Sequence, residues 1–248
     1  MGGGACVAVV LLACVLQHRV ATAAVGNVRH TYVICDPRLE PERHAAVSPH
    51  VANVSETTFY KPTDNRTGVP PALMAEWGIA QGALTQPEAS LYINYAMTMQ
   101  RVRDDFPQGG NFIVLESDVQ FHGNFSKYIE DMAQAAEGIP FDLIFFGSCM
   151  GFHARGPRAR GRVSLVRMTS GRCTDSILWS HTGVLKFLDF LHRTTNATMP
   201  IDHTMNVFLK NETTACYWAE PTLTTQGSQT GAFPSTIRGR AAMTSSDD

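Results

Sequence analysis

The feature that most constrains the fold of this chain is a short apolar stretch that runs into two acidic residues. Residues 112–115 read Phe-Ile-Val-Leu, a glycine pair precedes them, and Glu116 and Asp118 follow. A short run of β-branched and aromatic residues predicts a buried strand. Strands buried on both faces occur in α/β sheets, where ligands bind beyond the carboxyl ends of the strands. Because residues two apart on a strand point the same way, both carboxylates should face that ligand.

The residue types at this strand end indicate a site for a metal ion and a nucleotide diphosphate. Mg²⁺ and Mn²⁺ prefer hard oxygen ligands and bind through one or two carboxylates together with substrate phosphates. The alternative is that Glu116 and Asp118 are ordinary strand-end acids in a turn, since Glu-Ser-Asp alone is a weak motif.

Composition favours an ordered domain and gives no reason to expect nucleic acid as a partner. The 248 residues are 44% hydrophobic and 17% charged, so the chain can bury a substantial core. The formal net charge is −2, which does not favour binding to a polyanion. No G-x-G-x-x-G or P-loop lysine motif occurs, which weakens the case for a dinucleotide-binding or P-loop protein.

The first 24 residues have the pattern of a secretory signal peptide. The apolar run Ala5–Leu16 is too short to cross a hydrocarbon layer of about 30 Å, and small residues at 21–24 follow it. The start lacks Lys and Arg, and an uncleaved anchor is the alternative. We predict a signal peptide at 1–24, a folded domain at 25–238 and a loose tail at 239–248. After cleavage no stable membrane span would remain, and the protein would be secreted or stay in the lumen of the endoplasmic reticulum or Golgi.

Sequons and cysteines are consistent with the secretory pathway. If glycosylated, each sequon would mark exposed surface. Four cysteines outside the signal peptide allow three pairings, among which we favour Cys149 with Cys173 because they flank one basic segment. The alternative is buried free thiols. The five sequons are at Asn53, Asn65, Asn124, Asn196 and Asn211.

Strand and helix patterns alternate along the chain, which predicts an α/β domain. Strands are predicted at 30–35 and 141–147 in addition to the central one. The segment 151–172 contains five arginines between Arg155 and Arg167, and it is predicted to be an exposed hairpin or a loop that closes over phosphate. Helices are predicted at 39–51, within 72–106, and at 125–136, 182–193 and 204–209.

The order of these parts resembles glycosyltransferase family 25, which includes lipooligosaccharide and procollagen galactosyltransferases. The similarity covers most of residues 28–238. This chain has Leu-Glu-Ser-Asp-Val at 115–119 where the family has Leu-Glu-Asp-Asp-Val, and it lacks the family's Ser-His near residues 82–86. The remaining matches are the opening strand 32–34 with Arg38 to Arg43, the strand 142–147, the segment 173–183, Pro200-Ile201-Asp202, and Pro221 with Gln226, Ser228 and Ser235.

The resemblance implies a GT-A-like, Rossmann-type fold with a central, mostly parallel sheet flanked by helices. It also implies metal-dependent, inverting transfer of a sugar, often galactose, from a nucleotide-diphosphate donor such as a UDP-sugar to a hydroxyl on a glycan or glycoprotein. The ion would be Mn²⁺ or Mg²⁺, with Asp118 as its ligand, and Glu116 would bind the donor ribose or assist through water.

The same resemblance gives candidates for the remaining roles. Inversion needs a general base, for which Asp202 is the first candidate and Asp175 the second. The alternative for Asp202 is an N-cap of a helix that begins at His203. His203 is a candidate metal or phosphate contact, with a structural histidine as the alternative.

Two other functions fit the same sequence. Ser117 in place of an acid and the missing Ser-His motivate a catalytically inactive, secreted binding domain with a GT-A-like fold. A secreted hydrolase that uses the carboxylate pair is the third possibility. Trp77, Trp179 and Trp218 are candidates for a sugar-stacking face, with core packing as the alternative.

Overall fold

The computed structural model describes residues 28–64, 66–148, 151–154, 163–211 and 213–235. The predicted signal peptide and tail lie outside these residues, as do Asn65, Cys149 and four of the five arginines of the basic segment. Within the described residues the chain forms ten strands and seven helices. The strands are β1 (Val28–Ile34), β2 (Thr57–Phe59), β3 (Asn111–Glu116), β4 (Val119–Phe121), β5 (Leu143–Phe145), β6 (Gly147–Ser148), β7 (Ser164–Met168), β8 (Ser176–Ser180), β9 (Cys216–Glu220) and β10 (Thr224–Gln226). The helices are α1 (Pro41–Val51), α2 (Pro71–Glu76), α3 (Gln86–Asp105), α4 (Phe125–Ala135), α5 (His181–Arg193), α6 (Ile201–Asn211) and α7 (Gly227–Thr230).

The main sheet has seven strands in the order β2-β1-β3-β8-β5-β9-β7. The predicted α/β class is confirmed, but the prediction of a mostly parallel sheet is wrong. Pairings β1–β2, β1–β3 and β5–β9 are parallel, whereas β3–β8, β5–β8 and β7–β9 are antiparallel. The apolar pattern of a buried strand carries no information about direction, and β8 runs against both of its neighbours.

A second, three-stranded sheet adjoins the carboxyl end of β3, in the order β4-β10-β6. The predicted strand at 141–147 is therefore shorter than expected. Its last residue, Gly147, begins β6 and pairs with β10 instead of continuing the main sheet. The small sheet links the turn that contains Asp118 to the C-terminal part of the chain, because β4 follows that turn and pairs with β10.

Strand β3 lies at the centre of the core, as its sequence predicts. Phe112 and Val114 face the helices α3, α5 and α6, while Ile113 and Leu115 face α1 and α4, and all four side chains are fully buried. The helix α3 that precedes β3 starts with a capping box between Thr85 and Glu88. None of the described helices combines the length and apolar character needed to cross a membrane.

The three tryptophans belong to the core. Trp77, Trp179 and Trp218 are 3%, 0% and 7% exposed, so none of them presents a face for stacking on a sugar. Trp218 donates its indole N–H to the carbonyl of Ser170, at 2.7 Å, and lies beneath the Arg172 guanidinium. The alternative of core packing is therefore correct for all three.

Candidate functional site

A cleft opens at the carboxyl ends of β1 and β3, and it consists of three adjacent cavities. The central cavity, of about 60 Å³, is lined by Arg43, Lys61, Glu116, Ser117 and Asp118 among others. The Phe233 cavity, of about 360 Å³, shares Arg43 and Lys61 with it. The Asp202 cavity, of about 280 Å³, shares Glu116 with it and extends to His203. In open α/β sheets, ligands commonly bind just beyond the carboxyl ends of the parallel strands.

Glu116 and Asp118 lie together in the central cavity, as the two-residue period of the strand predicts. Glu116 ends β3, pairs in register with Ile34 and is 8% exposed, and Asp118 is 5% exposed. Thr174 donates its hydroxyl to Glu116 Oε1 at 2.6 Å. The backbone N–H of Ser228 donates to Asp118 Oδ2 at 3.2 Å.

The buried carboxyl of Glu116 carries a strongly shifted pKa. Burial and, to a smaller extent, the charge of Asp118 raise this pKa to about 8, although the hydrogen bond from Thr174 opposes the shift. The charges of Asp175 and Asp202 act in the same direction as Asp118. Ionised carboxylates this close together repel one another unless a cation binds between them or one of them is protonated.

Two cations complete the central cavity, and only one of them lies in a motif that the sequence singled out. Arg43, from α1, donates to Ser117 Oγ at 3.0 Å and pairs with Glu40. Lys61 pairs with the same Glu40 at 2.8 Å. Lys61 follows the end of β2, which pairs in parallel with β1, so the pairing brings it to the same sheet edge. In the sequence, Lys61 is marked only by its position just after a short segment of β-forming residues. That pattern is too weak to identify it as a site residue.

Asp175 lies behind the cleft rather than in it. It is 1% exposed, lines none of the three cavities, and accepts a hydrogen bond from Ser176 Oγ at 2.8 Å. Burial, with a smaller contribution from the charge of Asp118, raises its pKa to about 7, although the hydrogen bond from the Ser176 hydroxyl lowers it. Gly147 leaves room for this carboxyl, since a Cβ there would overlap it.

Asp202 and His203 line the Asp202 cavity and do not border the central cavity with Asp118. Asp202 is half-buried and His203 is exposed. The helix α6 begins at Ile201, so Asp202 is not the N-cap of a helix that starts at His203, and that alternative is wrong. The Asp202 carboxylate instead accepts from the neighbouring His203 N–H at 2.9 Å.

The segment 227–235, which we call the C-terminal strap, forms the wall of the cleft opposite β3. It includes α7 and carries Ser228 and Ser235 into both the central and Asp202 cavities. Its approach depends on Gly227, where a Cβ would lie 2.7 Å from the Asp118 carbonyl oxygen and 2.6 Å from the Phe233 ring. Gln226 and Ser228, two of the residues that carry the resemblance described above, therefore line the cleft. The carbonyl of Pro221 accepts a hydrogen bond from the hydroxyl of Tyr128, which is 93 residues earlier in the chain.

Only some of the predicted disulfide and glycosylation sites lie among the residues that the structure describes. Cys173 is disulfide-bonded, and Cys35 and Cys216 are free, so neither of these is its partner. The predicted partner, Cys149, lies outside the described residues. Asn53, Asn124 and Asn196 are exposed, whereas the side chains of Asn65 and Asn211 are not described. Asn124 also caps α4 through its side-chain oxygen.

The donor set at Asp118 suits a hard divalent ion. Asp118 Oδ1 accepts no hydrogen bond among the described residues and borders the central cavity, so it is free to serve as a ligand. Mg²⁺ and Mn²⁺ need only one or two carboxylates when phosphates and water supply the rest. Among the residues that the structure describes, no three His, Cys, Asp or Glu side chains are grouped to hold an ion.

The fold and the cleft define an α/β protein with a pocket lined by buried carboxylates and cations at the carboxyl ends of its parallel strands. No protein-family model matches the chain, and no curated protein matches it. Chemically, the pocket combines anion-binding groups with carboxylates able to hold a cation or to accept a proton.

Proposed function

We propose that this protein is a metal-dependent, inverting glycosyltransferase whose donor is a nucleotide-diphosphate sugar. The first donor to test is a UDP-sugar. The observation that carries the proposal is the placement of Asp118 and two cations in one cavity, with Asp202 in the adjacent cavity across Glu116. The parallel set β2-β1-β3, with the acid pair at its carboxyl end, supports a GT-A-like arrangement.

The central cavity would bind the donor. Arg43 and Lys61 are each 11% exposed and offer two cationic groups to a diphosphate. Asp118 Oδ1 would hold Mn²⁺ or Mg²⁺, which supplies neutralisation of the charge on the departing diphosphate. Glu116, held by Thr174, would orient the donor ribose.

The Asp202 cavity would bind the acceptor. The acceptor hydroxyl attacks the anomeric carbon, the bond from that carbon to the diphosphate oxygen breaks, and the hydroxyl proton passes to the Asp202 carboxylate. Asp202 is the better candidate for this base because it borders a cavity and Asp175 does not. Asp175 instead supports Glu116, whose backbone N–H donates to the Asp175 carbonyl at 2.8 Å.

A second candidate function is that of a binding domain without catalysis, and one observation favours it. Ser117 takes the place of the middle acid and is held by Arg43, so the charge available to an ion is one carboxylate lower than in the family pattern. Such a domain would bind a sugar or a protein, and its binding would be insensitive to EDTA. For either candidate function, residues 1–24 and the sequons predict that the protein resides in the secretory pathway.

Two substitutions test the catalytic proposal because they separate binding from chemistry. Asp118→Asn should abolish Mn²⁺-dependent donor binding and transfer. Asp202→Asn should keep donor binding and lower the turnover number by about 10²–10⁴-fold, the usual contribution of a general base. Donor affinity is measured calorimetrically and transfer by release of the nucleoside diphosphate.

Asp36→Asn is the matched control, because Asp36 also follows a strand but pairs with Arg38 outside the central cavity. It should behave as the wild type. Unchanged Mn²⁺-dependent binding in Asp118→Asn would remove Asp118 from the site, and full turnover in Asp202→Asn would remove Asp202 as the base.

A further inference from the structure

The C-terminal strap is fastened to the two groups that the proposed donor needs. At one end, the N–H groups of Gly227 and Ser228 donate to the carbonyl oxygen and to Oδ2 of Asp118, at 2.7 and 3.2 Å. One of the carboxylate oxygens that would face an ion is therefore already used by the protein. Thr230 adds a hydrogen bond to Gln120, the residue two positions beyond Asp118.

At its other end, the strap is fastened to Arg43. The guanidinium donates from Nη2 to the Pro234 carbonyl at 2.7 Å, and it lies 5.5 Å from the centre of the Phe233 ring. A cation over an aromatic ring is attracted by the ring quadrupole. Arg43 thus spends one N–H on Ser117 and another on the strap, and these are the donors that a phosphate would take.

The strap also leaves little room for a ligand. Pockets that bind small molecules usually measure about 300–1,000 Å³, whereas the central cavity measures about 60 Å³. Larger spaces lie on both sides of it, of about 360 and 280 Å³. The strap contributes residues to all three cavities, and a nucleoside diphosphate can occupy the central cavity only if the strap moves. Gly231, at φ 80°, lies within the strap with open space around its Cβ position and can serve as a point of rotation.

We propose that the C-terminal strap is an autoinhibitory latch, which closes the donor site in the ligand-free protein and is released when the donor diphosphate takes Arg43 from Pro234 and Phe233. This inference rests on the proposed function, since it requires a diphosphate-bearing ligand. Because the ligand and the strap compete for one group, the apparent dissociation constant equals the intrinsic one divided by the fraction of molecules with an open strap. Weakening the latch should therefore tighten donor binding.

Two variants weaken the latch without touching the groups that bind the donor. Phe233→Ala removes the ring from Arg43, and Thr230→Val removes the hydrogen bond to Gln120; Phe233 is half-buried and Thr230 is exposed, so the fold should tolerate both. Leu185→Ala is the control, because Leu185 is an exposed apolar residue on α5 and lines none of the three cavities. UDP with Mn²⁺ is the probe, and its dissociation constant is measured by calorimetry. Hydrogen exchange at the amides of residues 227–233 is measured with and without the probe.

Without ligand, both latch variants should exchange faster in the strap than the wild type. Both should bind UDP about 3–10-fold more tightly than the wild type, and Leu185→Ala should bind it as the wild type does. UDP should accelerate strap exchange in the wild type. If the wild type binds UDP but the variants bind it equally or more weakly, the latch is wrong and the proposed function stands. If neither the wild type nor the variants with a loosened strap bind UDP, the proposed function and the latch are both wrong.

Discussion

At the level of single residues, four of the carboxylates at or near the cleft lie close together but differ in their surroundings; a fifth, Glu40, is paired with Arg43 and Lys61. Glu116 and Asp118 share the central cavity, Asp202 borders the adjacent one, and Asp175 is enclosed behind Glu116. The meeting of Glu116 with Asp118 follows from the period of a strand and could be predicted. The enclosure of Asp175 could not, because it depends on the missing side chain of Gly147 on another strand.

Asp175 makes stability depend on pH. Burial raises its pKa to about 7, so the folded state binds the proton more tightly than the unfolded state, whose Asp pKa is about 3.9. The stabilisation from this proton is therefore complete below about pH 4 and is lost as the pH rises to about 7. We expect Asp175→Asn to raise the melting temperature relative to the wild type at pH 8 and to raise it less, or not at all, at pH 4.5.

Thermal unfolding of both proteins across this range measures the effect. A difference of about 1 kcal/mol would move the melting temperature by about 2–4 °C in a domain of this size. Asp189→Asn, which changes an exposed carboxylate on α5, should leave the pH dependence as it is in the wild type. A melting temperature for Asp175→Asn that stays below the wild type by the same amount at every pH would contradict the shifted pKa.

At the scale of the element, the sequence predicts most helices and the central strand but not the assembly of the sheet. Helix α4 begins at the predicted residue, and α5 begins one residue early. Six strands were not predicted, because pairing with segments distant in the sequence, rather than a strong local pattern, defines them: β2, β4, β7, β8, β9 and β10. Arg43 and Lys61 were not predicted to meet for the same reason, since β2 brings Lys61 to β1 across the sheet.

The junction of β8 and α5 depends on one glycine. A Cβ at Gly183 would overlap the carbonyl oxygen of Asp142, so α5 packs against the start of β5 only with glycine there. We expect Gly183→Ala to destabilise the protein by about 1–3 kcal/mol, the usual cost of overpacking. Urea unfolding measures it. Leu185→Ala changes an exposed residue on the same helix and should cost far less, and equal costs for the two variants would contradict the close approach.

At the scale of the whole molecule, the cleft unites segments that are far apart in the sequence. Arg43 and Pro234 are separated by 191 residues, and Ser228 and Asp118 by 110. Helix α1 and the strap therefore meet beside the carboxyl end of β3 although they are distant in the sequence. We propose that this meeting point is a donor site, with an acceptor site beside it and a strap that closes the central cavity.

The most direct test is a thermal-shift measurement of the protein with UDP, GDP and CMP, each with and without Mn²⁺. A ligand at 100 times its dissociation constant adds about 2.7 kcal/mol to the native state, which corresponds to about 5–10 °C here. The proposed function requires a shift with UDP that depends on Mn²⁺ and that disappears in Asp118→Asn. No shift with any nucleotide, or a UDP shift that is indifferent to Mn²⁺ and to Asp118→Asn, would contradict it.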